Sequence, residues 1–203
     1  MTGTSRGRRA AIGFRAHSGW ACAILLAGSK TAPDILDRRR VALYDPAIAG
    51  SKQPFHHAEP MPFARGEAFI ARCTRSSDAL ASVALRELRT VAEKNGVEIA
   101  TCGITTASGR PLPDLRSILA SHTLIHAAEG EFNRDRLANA CESAKVAVAR
   151  VKERDVADWL AARLNLTDTA LKTQLSVWGK ALGPPWTADE KLATMAAWLA
   201  LAG

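Results

Sequence analysis

The strongest constraint on this sequence is the order in which its hydrophobic period changes. Residues 10–15 (AAIGFR) and 18–27 (SGWACAILLA) are apolar runs of strand type, and His17-Ser18-Gly19 supplies a turn between them. Ile35 to Tyr44 (ILDRRRVALY) sets Ile, Leu, Val and Tyr around Arg38-Arg39-Arg40, the pattern of a strand with one wet face. The period then switches. From Ala64 to Lys94 there is no proline, and Phe69, Cys73, Leu80, Ala84, Leu88 and Val91 fall on one side at about 100° per residue, which predicts a long amphipathic helix.

Asn95-Gly96 suits a left-handed helix end, and Val97 to Thr106 reads as a buried strand. Ser108-Gly109-Arg110-Pro111 breaks it; a phosphate cradle there would need a P-loop's spacing and lysine, so a plain turn is expected. Helices follow over 113–120 and 123–145, then an apolar strand over 146–151, then helices over 155–164, 168–182 and 188–201. Residues 45–63 carry Pro46, Gly50, Pro54, Pro60 and Pro62 and are expected to form a long loop. The order β-β-β-α-β-α-β-α predicts an α/β fold. Its mixed five-stranded sheet has three antiparallel strands, then two parallel ones, and is flanked by helices. Residues 1–203 are expected to make a single domain, with a flexible basic N-terminus over 1–9 and C-terminal helices over 152–203.

The chain is 47% hydrophobic and 23% charged, and no apolar run approaches the roughly 18 residues of a membrane span. Arg8-Arg9 ahead of Trp20 to Ala27 match an export signal poorly, because Arg15, His17 and Ser18 intervene and Lys30 follows. A cytoplasmic protein without membrane partners is therefore expected. Cys22, Cys73, Cys102 and Cys141 form no CxxC pair, so reduced thiols are expected rather than a zinc knuckle or a disulfide framework. A net charge of +7 favours polyanionic partners, provided that the basic residues cluster.

Two stretches carry a family resemblance. Gly13-Phe14-Arg15-Ala16-His17-Ser18-Gly19-Trp20-Ala21 resembles the first hairpin of RuvC-type Holliday-junction resolvases, a branch of the ribonuclease-H-like superfamily. Trp186-Thr187-Ala188-Asp189-Glu190-Lys191-Leu192-Ala193, continuing to Trp198, is similar to that family's last helix. The resemblance implies a ribonuclease-H-like fold and makes Asp189 or Glu190 the metal-binding carboxylate of that helix. It also implies an acidic residue on the first strand, where this chain has Arg15. A guanidinium cannot coordinate magnesium. Thr101 to Thr106 likewise lacks the acidic residue that the family places on the fourth strand.

A rebuilt catalytic centre would draw on Glu129 or Glu131, which point about 200° apart on a helix so that only one can face a shared site, with Asp189 or Glu190 and Mg or Mn, although Thr187-x-x-Glu190 also reads as a capping box. His122, His126 and Glu129 share one face at helical spacing and form a second candidate metal set, with zinc or another transition metal as its ion. His56-His57 could join it from the loop, while solvated histidines are the simpler expectation there. Arg65, Arg72, Arg75, Arg86 and Arg89 lie within an arc of about 120° on the long helix. With Arg15, Arg38, Arg39 and Arg40 they form a candidate phosphate-binding surface. Trp159, Trp178, Trp186 and Trp198 are expected in the core. Three functions stay open: a nucleic-acid-binding, metal-dependent nuclease, an inactive scaffold or binding module on the same fold, and a His/Glu metal enzyme. The partners expected are nucleic acid and, for a homodimer, a second copy of the chain.

Overall fold

In the computed structural model, residues 8–107 and 111–203 are described. The first hairpin joins β1 (Arg8–His17) to β2 (Trp20–Ser29) through Ser18 and Gly19, and β3 (Ala32–Ala42) continues the antiparallel meander. Gly19 sits at φ +79°, a region that costs glycine little and other residues much. On the other side of β1 lie β4 (Val97–Thr106) and then β5 (Ala147–Lys152), both parallel to it. The sheet order β3-β2-β1-β4-β5 matches the mixed sheet that periodicity predicts.

The helices are α1 (Pro54–Ala58), α2 (Phe63–Lys94), α3 (Leu115–Leu119), α4 (His122–Ser143), α5 (Val156–Leu164), α6 (Asp168–Leu182) and α7 (Ala188–Ala202). One expectation is corrected by α1. The segment 45–63 is not an open loop, because Pro54 starts a helical turn whose Phe55 and Ala58 are buried. The third strand begins at Ala32 and ends before Tyr44. Of the expected flexible N-terminus, Arg8 and Arg9 are the first residues of β1, and residues 1–7 lie outside the described residues, as does the Ser108-Gly109-Arg110 turn.

Ala10, Ile12, Phe14 and Ala16 of β1 and Ala21, Ala23, Leu25 and Ala27 of β2 form one core with Ala81, Leu85 and Leu88 of α2 and Leu137 of α4. The opposite face carries α7, and here two glycines decide the packing. Gly13 and Gly103 pair across β1 and β4. A Cβ on Gly13 would lie 1.8 Å from the carbonyl oxygen of Ala193, and one on Gly103 would lie 2.2 Å from that of Ala196. The backbone of α7 therefore rests directly on the sheet, which places Asp189 over the end of β1. Trp178 and Trp198 pack edge to face at 5.1 Å, holding α6 against α7. Trp159 departs from expectation: it is 56% exposed.

With 32 residues, α2 is about 48 Å long and outruns strands of ten residues. Asn133, midway along α4, donates to the carbonyl of His17, the last residue of β1, at 2.8 Å, so the first half of α4 also extends past the strand ends. Phe55, Ile70, Cys73, Ile118, Ile125 and Phe132 bury one another in that overhang. The result is a small helical cap beyond the carboxyl ends of β1, β4 and β5.

Candidate functional site

Parallel strands and the helices that follow them gather polar groups at the strands' carboxyl ends. Here β1 contributes Arg15 and His17, β4 contributes Thr105, the residue after β5 is Glu153, and α7 brings Asp189. Arg15 occupies the centre. One of its guanidinium nitrogens donates to Asp189 and the other to Glu153 at 3.2 Å. His17 Nε2 lies 3.0 Å from the same Asp189 oxygen and contacts Arg15 as well. Glu153 also accepts from the Thr105 hydroxyl at 3.4 Å and lies 3.8 Å from Arg134. Arg134 is buried, and its Nε donates to the Thr105 carbonyl at 2.8 Å.

Two guanidinium groups thus stand among the carboxylates of this centre. Divalent ions bridging a cleavage site need carboxylate oxygens turned toward a shared vacancy. Arg15 fills that vacancy and draws both Asp189 and Glu153 onto itself. The residues present do not fit a pair of divalent ions.

The four carboxylates expected from sequence do not converge. Glu190 makes a capping box: its carboxylate accepts from the Thr187 amide at 2.7 Å and from the Thr187 hydroxyl at 2.6 Å. Glu131 lies against Arg134 at 3.3 Å and Arg150 at 3.4 Å, on the wall of a cleft of ≈ 520 Å³ that also holds Trp159 and Lys152, and among the described residues its ion-pair link to the Arg15 centre runs through Arg134 and Glu153. Glu129 points into the helical cap. It accepts from the Phe55 amide at 2.8 Å and the His56 amide at 3.0 Å, satisfying the start of α1. Burial pushes its carboxyl above the usual range, against the opposing pull of those donors. Only Asp189 of the four belongs to the strand-end centre.

The basic residues divide by face. On β3, Arg38 donates to the carbonyls of Gly183 and Pro185 at 2.8 and 2.6 Å, which ties down the turn before α7. Arg39 faces the other side and pairs with Asp37 and with Glu87 at 2.9 Å. Arg40 is exposed and lies 3.6 Å from the Trp20 ring, which in turn stacks on His17 at 4.3 Å. Along α2, Arg65, Arg72, Arg75 and Arg86 are exposed and enter no ion pair found among the described residues. Arg89, at the edge of the arc, turns inward and donates to the Ala144 carbonyl at 2.6 Å.

His122 and His126 do meet, as their spacing predicts, and His56 joins them from α1. Glu129 is not a fourth member, since its carboxylate holds the amides of α1 and approaches His56 Nδ1 at 3.2 Å. Sequence reasoning missed Glu153, His17 and Arg134. The available signal was weak: Glu153 is a charge just past an apolar parallel strand, where strand-end chemistry collects.

No family model matches the chain, and no curated protein matches it in sequence. Solved structures match it in fold. The chain is similar to the Thermus thermophilus RuvC structure, at 10% identity and a TM-score of 0.51 over 94% of this chain and 92% of that one. It is also similar to T. thermophilus RuvC in complex with a Holliday junction substrate, at 13% identity and a TM-score of 0.50 over 94% and 91%. The fold is ribonuclease-H-like. Among the described residues no helix is long and apolar enough to cross a membrane.

Proposed function

We propose that this chain is a nucleic-acid-binding module built on a ribonuclease-H-like fold whose cleavage centre is closed by an internal cation. The observation that carries the reading is the bridge from Arg15 to both Asp189 and Glu153, which neutralises the carboxylates that would otherwise draw a divalent ion. Arg65, Arg72, Arg75 and Arg86 supply the binding surface. Of the acids bordering them, Glu87 pairs with Arg39 and Asp78 lies 3.5 Å from Arg136, which leaves Glu67 and Glu93 against four exposed arginines. One structural relative is seen bound to a Holliday junction, which makes branched DNA the first ligand to test.

Four phosphate contacts on duplex DNA imply a log–log salt slope of about −3.6, or roughly a hundredfold loss of affinity between 50 and 200 mM salt. Anisotropy with labelled four-way junction, duplex and single-stranded probes is expected to show that loss. Arg72→Ala combined with Arg86→Ala is expected to flatten the slope by about 2. Binding indifferent to salt and to both substitutions would remove the binding surface from the proposal. With Mg or Mn added, none of the probes is expected to be cut. Cleavage that disappears in Asp189→Asn would instead establish the nuclease reading.

A further inference from the structure

The chain has five histidines, and three of them converge on the surface of the helical cap. His56 belongs to α1, while His122 and His126 lie one turn apart at the start of α4. One ring nitrogen from each lies within 4.8 Å of the other two. The ring centroids are 4.7 to 5.5 Å apart. The Nε2 atoms of His122 and His126 are 3.2 Å apart. Two imidazoles bound to one tetrahedral zinc at about 2.0–2.1 Å would place their nitrogens about 3.3 Å apart, so this pair already has the spacing of a zinc edge.

The opposite side of the rings is also arranged. His56 Nδ1 faces Glu129 at 3.2 Å, and His122 Nδ1 faces Glu59 at 3.4 Å. A neutral imidazole that donates from Nδ1 to a carboxylate keeps its lone pair on Nε2, and a carboxylate behind the ring both orients the ligand and raises its basicity. Glu129 is itself fixed by the Phe55 and His56 amides, so the orientation of His56 is set from inside the cap. Surface histidines gathered by chance have no reason to carry carboxylates against the Nδ1 atoms of two rings.

We propose that His56, His122 and His126 form a site for one divalent transition-metal ion, with zinc as its ion, three imidazole ligands and a solvent-facing fourth position. Imidazole donors favour zinc, copper, nickel and iron over magnesium, so this site differs in chemistry from any carboxylate centre at the strand ends. Clefts of 320 to 520 Å³ among the described residues are lined by other side chains, and the role assigned to this site is that of a clamp. A five-residue helix such as α1 has almost no stability of its own, and a metal shared between α1 and α4 would pin it to the cap. The inference is independent of the nucleic-acid reading.

The test uses the full chain without an affinity tag, stripped with chelator and dialysed. Calorimetric titration with zinc is expected to give one equivalent bound, and cobalt substitution is expected to give the intense visible bands of tetrahedral coordination. Zinc at a hundredfold over its dissociation constant is expected to raise the melting temperature by about 5–10 °C. His126→Ala, at an exposed position, is expected to melt as the metal-free wild type does and to lose stoichiometric binding and the cobalt bands. His57→Gln, whose ring packs on Phe69 at 4.7 Å outside the cluster, is expected to retain both. Failure of the wild type to bind stoichiometric zinc, or equal binding by His126→Ala, would overturn the site.

Discussion

At the scale of single residues, Arg15 carries the most information. It is half-buried between two acids that reach it from β5's end and from α7, so it acts as a fixed internal counter-ion. Arg15→Asp tests this. The substitution leaves three carboxylates facing one another, and the loss is expected to be about 2 kcal/mol without divalent ions, toward the low end for a broken pair because the site is partly open to water. Manganese in millimolar amounts is expected to restore much of that stability in thermal melts, since the same three groups then resemble a carboxylate metal site. A variant as stable as wild type in chelator would show that Arg15 does not hold the acids together. Glu190 illustrates the converse. Its sequence context suggested a ligand or a cap, and its hydrogen bonds to Thr187 make it a cap.

At the scale of elements, α7 is the part whose placement governs the centre. Its seat is made by Gly13 and Gly103, over which Ala193, Ala196 and Ala197 bring helix backbone into contact with strand backbone. An added methyl on either glycine cannot be absorbed by a flexible side chain, since the nearest atoms are main-chain. Gly13→Ala and Gly103→Ala are each expected to cost about 3 kcal/mol in urea unfolding, the upper range for overpacking. Because both push on the same helix, the double variant is expected to lose less than the sum. A loss below about 1 kcal/mol in either variant would mean that α7 tolerates lifting off the sheet. The long helix α2 makes a different point. Its buried side was readable from Cys73, Ala84 and Leu88 at helical spacing, and its exposed arginines followed, but Arg89 at the edge of the same arc is captured by the end of α4.

At the scale of the whole molecule, the four cysteines report on integrity. All are free and buried. Burial first, then the nearby Glu190 and Asp189, push the Cys22 thiol up to about 12, and burial pushes Cys73 up to about 11. At pH 8 the native protein is expected to react with a thiol reagent at none of the four, and the urea-unfolded protein at all four. The sign for stability follows from the same shift. The folded state holds these protons more tightly than the unfolded one, so the contribution is complete below pH 9 and is lost as pH rises toward 12. A native protein that labels rapidly at Cys22 at pH 8 would contradict the packing of β2 against α7.

The sheet, the helix order and the buried faces were legible in the sequence because they rest on local periods: alternation, 3.6-residue spacing, and the punctuation of Gly and Pro. So were the capping box at Thr187 and the meeting of His122 with His126, which lie four residues apart on one helix. Two local signals misled. A proline-rich stretch read as a loop contains α1, and Trp159, apolar in type, stands at the mouth of a cleft. Of the charged centre, the resemblance singled out Arg15 and Asp189, but their ion pair and the part played by Glu153 could not be read. Arg15 meets Glu153 and Asp189 across separations of 138 and 174 residues, and no pattern within a strand or helix records such a meeting. The sequence by itself determined which elements form and which of their faces are apolar, since those depend on neighbours along the chain. Only the tertiary structure decided which charges neutralise one another at the strand ends and which third histidine joins the pair on α4, because both depend on how the helices seat on the sheet.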